Sequence, residues 1–276
     1  MSPKSDRPIA PFGRRAVPVD SVRRIGPYTL IEITDLAAPT AKAGQFHMLA
    51  TESNWGGTMG GRPFLARAIS FISSNGEGRF GFLLHTVGPG TERLADVNVG
   101  DNLLVVGPLG NGFGDPSEQL RPILIGGGIG AAPVLAMADQ LTAAGRDYEV
   151  ILGFRDASHA ELASERRNCR VVTDDGSTGG HGTVLDELQI LIDSLEPSEQ
   201  VELLACGPPG MLEAVRAFAS AVGVEAQLAL ETPMACGYGA CFGCVVPTKS
   251  GYVRACVDGP VFIASQLDRV FPDGPL

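Results

Sequence analysis

Pro122-Ile-Leu-Ile-Gly-Gly-Gly-Ile-Gly-Ala-Ala-Pro133, running on into residues 134–144, decides how the middle of this chain folds. Residues 122–125 are a short apolar run of strand character, the glycines make a turn, and residues 134–144 have helical character. A strand, a glycine turn and a helix N-terminus bring free amides and the positive end of a helix dipole to one point, which suits a pyrophosphate. Read as G-x-G-x-x-A from Gly126, with Gly128 and Gly130 inside the turn, the run fits a dinucleotide fingerprint. Glycine loops are common, so the weight comes from the strand before it and the helix after it.

Working outward, further strands are expected at 149–152, 170–173 and 202–205, with helices at 185–195 and 211–221. Strands alternating with helices imply a parallel sheet covered on both faces, a Rossmann-like α/β domain spanning residues 118–229. Ligands of such sheets lie at the carboxyl ends of the strands, so Asp174–Ser177 and Cys206–Gly210 are expected to line a nicotinamide site. Asp156 suits the ribose of NAD and Arg155 suits a 2′-phosphate, while a pair of solvated loop charges explains both residues equally well.

Residues 1–117 read as β-rich, with strand-like runs at 22–30, 30–34, 43–49, 68–73, 79–87 and 102–106. The turn signals Asn75-Gly76, Gly88-Pro89-Gly90 and Gly107-Pro108 separate them at the spacing of a small antiparallel barrel. The glycine-rich stretch 51–62 reads as an exposed loop.

Residues 230–276 form a short third piece without a clear helix, too small to bury a core alone, so a metal centre is expected to hold it together. Cys236-x4-Cys241-x2-Cys244, followed by Cys256, matches the opening spacing of a plant-type [2Fe–2S] loop, although the last gap is short. Gly237, Gly239, Ala240 and Gly243 are small enough for the backbone to wrap closely and aim N–H groups at the sulfurs. The alternative is zinc, which favours paired CxxC units, and only Cys241 and Cys244 make one. Cys169 and Cys206 lie outside the cluster and read as packed thiols.

The chain has 276 residues, of which 44% are hydrophobic, so it can bury the cores of about two domains. A net charge of −10 gives no basic face for phosphate backbones, which argues against nucleic acid. No apolar run approaches the roughly 20 residues of a membrane span. The first residues carry no apolar stretch behind their basic ones, so the cytoplasm is the expected location. Six cysteines, four of them between 236 and 256, favour metal over disulfides in such a compartment. His47, His85, His159 and His181 are scattered and form no triad or metal spacing, and no residue reads as a substrate acid or base. That pattern belongs to an electron relay rather than a complete enzyme.

Arg67-Ala-Ile-Ser70 resembles the flavin motif of the ferredoxin reductase superfamily, Gly88-Pro-Gly-Thr91 its second phosphate loop, and Gly107–Phe113 its barrel-closing segment. Glu231-Thr-Pro-Met-Ala-Cys-Gly-Tyr-Gly-Ala-Cys-Phe-Gly-Cys244 and Ala255-Cys-Val-Asp-Gly-Pro-Val-Phe262 sharpen the resemblance to electron-transfer subunits of class 1B dihydroorotate dehydrogenases. It runs from about residue 20 to residue 265. The resemblance implies FAD on Arg67, Ala68, Ile69, Ser70, Leu83, Leu84, His85, Gly90 and Thr91, and NAD(H) on Gly126, Gly128 and Gly130. It further implies a [2Fe–2S] cluster on Cys236, Cys241, Cys244 and Cys256. The partner it implies is a catalytic FMN-containing subunit, two copies of each forming a heterotetramer in pyrimidine biosynthesis. Two departures stand out: Ala68 replaces a usual proline, and Leu84-His85 replaces a usual Tyr-Arg pair. The second removes one cation from the phosphate site and leaves His85 either a hydrogen-bond donor or a polar strand end. Related subunits of NADH-dependent ferredoxin:NADP oxidoreductases usually carry aspartate where this chain has Cys236, and glutamate where it has Val261. A reductase subunit for another dehydrogenase, hydrogenase or ferredoxin remains the alternative, and a zinc-clipped module the third reading.

Overall fold

The computed structural model describes residues 13–53, 55, 63–164, 166, 168–196 and 198–270. Most of the glycine-rich stretch 51–62 lies outside them.

Six strands make the first layer: β1 (Arg15–Ile25), β2 (Tyr28–Thr34), β3 (Phe46–Thr51), β4 (Arg67–Ser74), β5 (Arg79–His85) and β6 (Asn102–Leu109). They close into an antiparallel barrel in the order β1-β2-β5-β4-β3-β6. The single run expected at 22–30 is broken, because Gly26 adopts φ +52 and Pro27 has no amide to give to a ladder; Ile25 pairs with Tyr28 across them. The barrel is filled by inward residues such as Ile31, Ile33, Phe71, Phe80, Phe82 and Leu103. His47 sits fully buried among Phe71, Phe80 and Phe82, with ring centroids 4.7–6.3 Å away. A short helix, α1 (Pro89–Ala95), follows β5.

The second layer is a seven-stranded sheet. Its parallel core uses β7 (Arg121–Gly127), β8 (Glu149–Phe154), β9 (Cys169–Thr173), β10 (Gly180–His181), β11 (Val201–Cys206) and β12 (Glu225–Ala229). Its helices are α2 (Ala131–Ala143), α3 (Ala157–Ser164), α4 (Val184–Ser194) and α5 (Pro209–Val222). Strand order is β10-β9-β8-β7-β11-β12-β15, the last being β15 (Val261–Ile263), which runs antiparallel to β12. Each expected strand and helix of this region is present. Three elements escape the sequence pattern, α3, β10 and β12: the first is a short helix rich in small residues, the second is only two residues long, and the third lacks the β-branched residues that announce a strand. Helix α2 is apolar nearly all round, since it is wedged between β7 of the sheet and β4 of the barrel.

The last segment has a hairpin, β13 (Val245–Thr248) and β14 (Gly251–Arg254), and a single helical turn, α6 (Ala255–Asp258), where no helix was expected. It is held by more than its cysteines. Strand β15 completes the sheet, and the Asn111 side chain of the barrel donates to the carbonyls of Val257 and Asp258 at 3.2 and 3.1 Å.

Candidate functional site

Between barrel and sheet lies a cleft of about 340 Å³, large enough for the ring system of a cofactor. Its walls carry Arg67, Ala68, Ile69 and Ser70 from β4, Leu83, Leu84 and His85 from the end of β5, and Thr91 from α1. Opposite stand Ile129, Ala132 and Pro133 from the glycine turn and α2, and Cys206 at the end of β11. Glu231, Thr232 and Met234, directly after β12, also line it.

Segments far apart in sequence thus meet. Arg67 lies against Gly90: a Cβ there would fall 2.3–2.6 Å from the guanidinium, so only glycine lets the two motifs touch. The same guanidinium lies 5.8 Å from the centre of the Trp55 ring and donates to the Leu65 carbonyl at 2.6 Å. Thr91 acts inside its own loop, its hydroxyl accepting from the amides of Val87 and Gly88 and donating to the Gly88 carbonyl. His85 packs edge-on against Tyr28 and His159. Burial, His159 and Arg155 all push its imidazole below the ordinary value.

In the glycine turn, a Cβ on Gly126 would strike Leu152 and Ala131, and one on Gly130 would strike the backbone of Cys206 at 2.5 Å. Those two glycines serve close helix–strand packing. Gly128, at φ +54, opens onto free space and presents bare backbone to a ligand. None of the three lines the cleft itself. Asp156 is the cap of α3, its Oδ1 accepting from the His159 amide at 3.0 Å and lying 2.8 Å from His159 Nδ1. The Asp174–Ser177 loop sits beside that cap, Ser177 Oγ accepting from the Ala157 amide, and away from the cleft.

Glu231 and Thr232 are the residues that sequence reasoning missed, because the strand positioning them was not recognisable. Glu231 lines the cleft, and desolvation raises its carboxyl above the ordinary value. Burial, and then the Glu231 charge, raise the neighbouring Cys206 thiol. Thr232 Oγ1 and Trp55 Nε1 are buried with no hydrogen-bond partner among the described residues. Orphaned polar atoms cost free energy unless something meets them. A flavin fits: an apolar slot, a guanidinium at its rim and a hydroxyl awaiting a partner.

Beyond Met234 the chain enters the cysteine loop. Gly237 packs on Met48 and Leu109 of the barrel, where a Cβ would overlap Met48 Cγ at 2.5 Å. Cys244 and Cys256 are buried with their sulfurs 3.1 Å apart; Cys236 is half-buried and Cys241 exposed. Amides aim at the sulfurs as the small residues lead one to expect: Ala240 to Cys236 at 3.3 Å, Gly243 to Cys241 at 3.4 Å, Cys256 to Cys244 at 3.4 Å. Burial opposes ionisation of Cys236, yet the amides of Tyr238, Cys241 and Ala240 and the Cys241 thiol together bring it down to about 6. Burial, and then Cys244, push Cys256 up to about 12. Two thiolates this close repel unless cations lie with them. The thiols pair two and two, which suits a two-iron cluster. Among the described residues, no three His, Cys, Asp or Glu side chains converge on one point as a tetrahedral zinc requires.

Residues 231–268 match the model for the iron–sulfur cluster binding domain of dihydroorotate dehydrogenase B, and residues 124–217 that of the oxidoreductase NAD-binding domain. The chain is 36% identical over 230 residues to the dihydroorotate dehydrogenase B (NAD(+)) electron transfer subunit of Clostridium perfringens, covering 82% of this chain and 87% of that one. It is 35% identical over 267 residues to the Streptococcus mutans subunit, covering 90% and 96%. A solved NADH-dependent reduced ferredoxin-NADP oxidoreductase superposes with TM-score 0.79 at 26% identity, over 94% of this chain and 91% of that one. Phthalate dioxygenase reductase shares the fold, with TM-score 0.60 at 18% identity over 94% and 96%. With its flavin-shaped cleft, glycine turn and four-cysteine loop in one molecule, the chain belongs to the family of dihydroorotate dehydrogenase B (NAD(+)) electron transfer subunits.

Proposed function

We propose that this chain relays electrons between NAD(H) and a separate dihydroorotate-oxidising subunit that carries FMN, assembled as two copies of each and serving pyrimidine biosynthesis in the cytoplasm. One observation carries the reading: Glu231, Thr232 and Met234, which line the cleft between barrel and sheet, run directly in sequence into the loop that bears the cysteines. Residues 1–117, 118–229 and 230–276 are its flavin, nicotinamide and cluster regions. Among the described residues no helix is long and apolar enough to cross a membrane.

When bound, the nicotinamide exchanges hydride, the flavin divides the electron pair, and the iron–sulfur cluster handles single electrons. The chain's own residues bind and orient. Arg67, kept against Gly90, clamps the flavin pyrophosphate, with the loop that Thr91 ties together beside it. Ala68, Ile69, Ser70, Leu83 and Leu84 wall the ring slot and exclude water, and His85 packs its outer end. Thr232 Oγ1, buried in the lining with no partner among the described residues, would supply a hydrogen bond to a flavin held there. Cys206 and Glu231 face the same slot, and burial raises both groups above their ordinary values, so the thiol holds its proton at neutral pH. Gly128 offers backbone amides to the dinucleotide, while Gly126 and Gly130 bring strand and helix close enough to form the turn. Cys236, Cys241, Cys244 and Cys256 hold the cluster.

The test is reconstitution. The chain purified with flavin and iron, mixed with a dihydroorotate-oxidising flavoprotein, is expected to reduce NAD when dihydroorotate is added. Flavin and iron spectra that bleach with NADH while no dihydroorotate-dependent NADH appears with any such partner would refute the partner assignment. The likeness to the NADH-dependent ferredoxin-NADP oxidoreductase favours, as second reading, a ferredoxin-linked acceptor, and the same preparation assayed with ferredoxin decides between them.

A further inference from the structure

Cys241 is the exposed ligand of the cysteine loop, and the backbone around it is held in an unusual way. Phe242, next in the chain, takes φ +58, a left-handed conformation that bulky side chains avoid. What holds it is Arg254, whose guanidinium carbon lies 4.9 Å from the centre of the Phe242 ring. Arg254 Nη1 also donates to the carbonyl of Gly239 at 2.8 Å. Gly239 itself sits at φ +90, and a Cβ there would collide with Val257 and crowd Arg254. Arg254 is fixed at its own base, its amide donating to Asp258 Oδ2 at 3.0 Å. One side chain from β14 therefore grips the loop on both sides of Cys241. A strained residue kept at the surface by a single cation points to function rather than packing.

We infer that Arg254 is a positioning residue for the iron–sulfur site: it clasps Gly239 and Phe242 about Cys241 and sets a permanent positive charge at the exposed edge of the cluster, raising its reduction potential. The inference rests on the four cysteines holding a [2Fe–2S] cluster. Adding an electron makes such a cluster one unit more negative, and a fixed cation nearby favours that state.

The test uses the full chain with flavin and cluster in place. Arg254→Gln keeps a hydrogen-bond donor and removes the charge; Arg254→Lys keeps the charge and loses the planar fork. Redox titration followed by electron paramagnetic resonance should show Arg254→Gln on the order of tenfold less reduced at the potential where the native cluster is half reduced, about 59 mV for a one-electron couple. Arg254→Lys should stay near the native potential but lose iron several-fold faster to a chelator, as should Phe242→Ala. A native potential in Arg254→Gln at full iron content overturns the electrostatic role. Native chelation rates in both Arg254→Lys and Phe242→Ala overturn the clasp, and these two variants decide the matter if Arg254→Gln does not retain its cluster. A native protein that binds flavin yet shows no reducible iron signal refutes the cluster assignment itself, along with the inference built on it.

Discussion

Replacing Gly90 by alanine separates flavin binding from folding in one methyl group. The new Cβ would lie 2.3 Å from Arg67 Nε, 2.5 Å from Cζ and 2.6 Å from Nη2, distances no pair of atoms tolerates. The atoms it meets are the far end of a flexible side chain, so the arginine swings away and the backbone stays. Alanine inside α1 is itself favourable by about 0.5–1 kcal/mol relative to glycine. The flavin-free protein should therefore unfold in urea at an unchanged or slightly higher midpoint. Flavin binding should move the other way. A charge-assisted contact between guanidinium and phosphate contributes about 1.5–3 kcal/mol, and losing it weakens binding roughly 10- to 150-fold. Titrating FAD into flavin-free protein and following its fluorescence measures this directly. Arg67→Ala should show a loss of the same size, and the double variant little more than either, since both remove one interaction. Native affinity in Gly90→Ala, or losses that simply add in the double variant, would refute the clamp.

Three further outcomes are expected. Cys241→Ser should leave FAD bound and reducible by NADH while electron delivery to the partner stops; stopped-flow absorbance on the assembled complex checks it. His47 is fully buried with neither ring nitrogen partnered among the described residues, and burial, then Arg15, bring its pKa from 6.5 to about 3. The unfolded chain therefore takes up the proton first, and stability falls as pH drops below about 6.5, by about 2 kcal/mol between pH 7 and pH 5. His47→Leu should flatten that slope in urea unfolding at the two pH values. Gly130→Ala places a Cβ against the Cys206 and Gly207 backbone, which yields less readily than a side chain, and should cost about 1–3 kcal/mol in the same unfolding assay.

The cysteine spacing and the glycine turn were legible in the chain because each is a local constraint. Four cysteines within 21 positions, from Cys236 to Cys256, and a turn rich in glycine at Gly126, Gly128 and Gly130 are written into short stretches of sequence. The barrel and the alternating sheet followed from periodicity and turn chemistry for the same reason. Tertiary structure alone decided the rest. Residues 225–229 carry no strand signature; they form a strand because β11 and β15 pair with them on either side, and that pairing delivers Glu231 and Thr232 to the cleft. His47 reads as one scattered histidine until the barrel closes over it and removes water from both nitrogens. Likewise Gly90 meets Arg67, and Arg254 meets Phe242, only through the folded backbone, because close approach between distant segments depends on packing that no short stretch of sequence encodes.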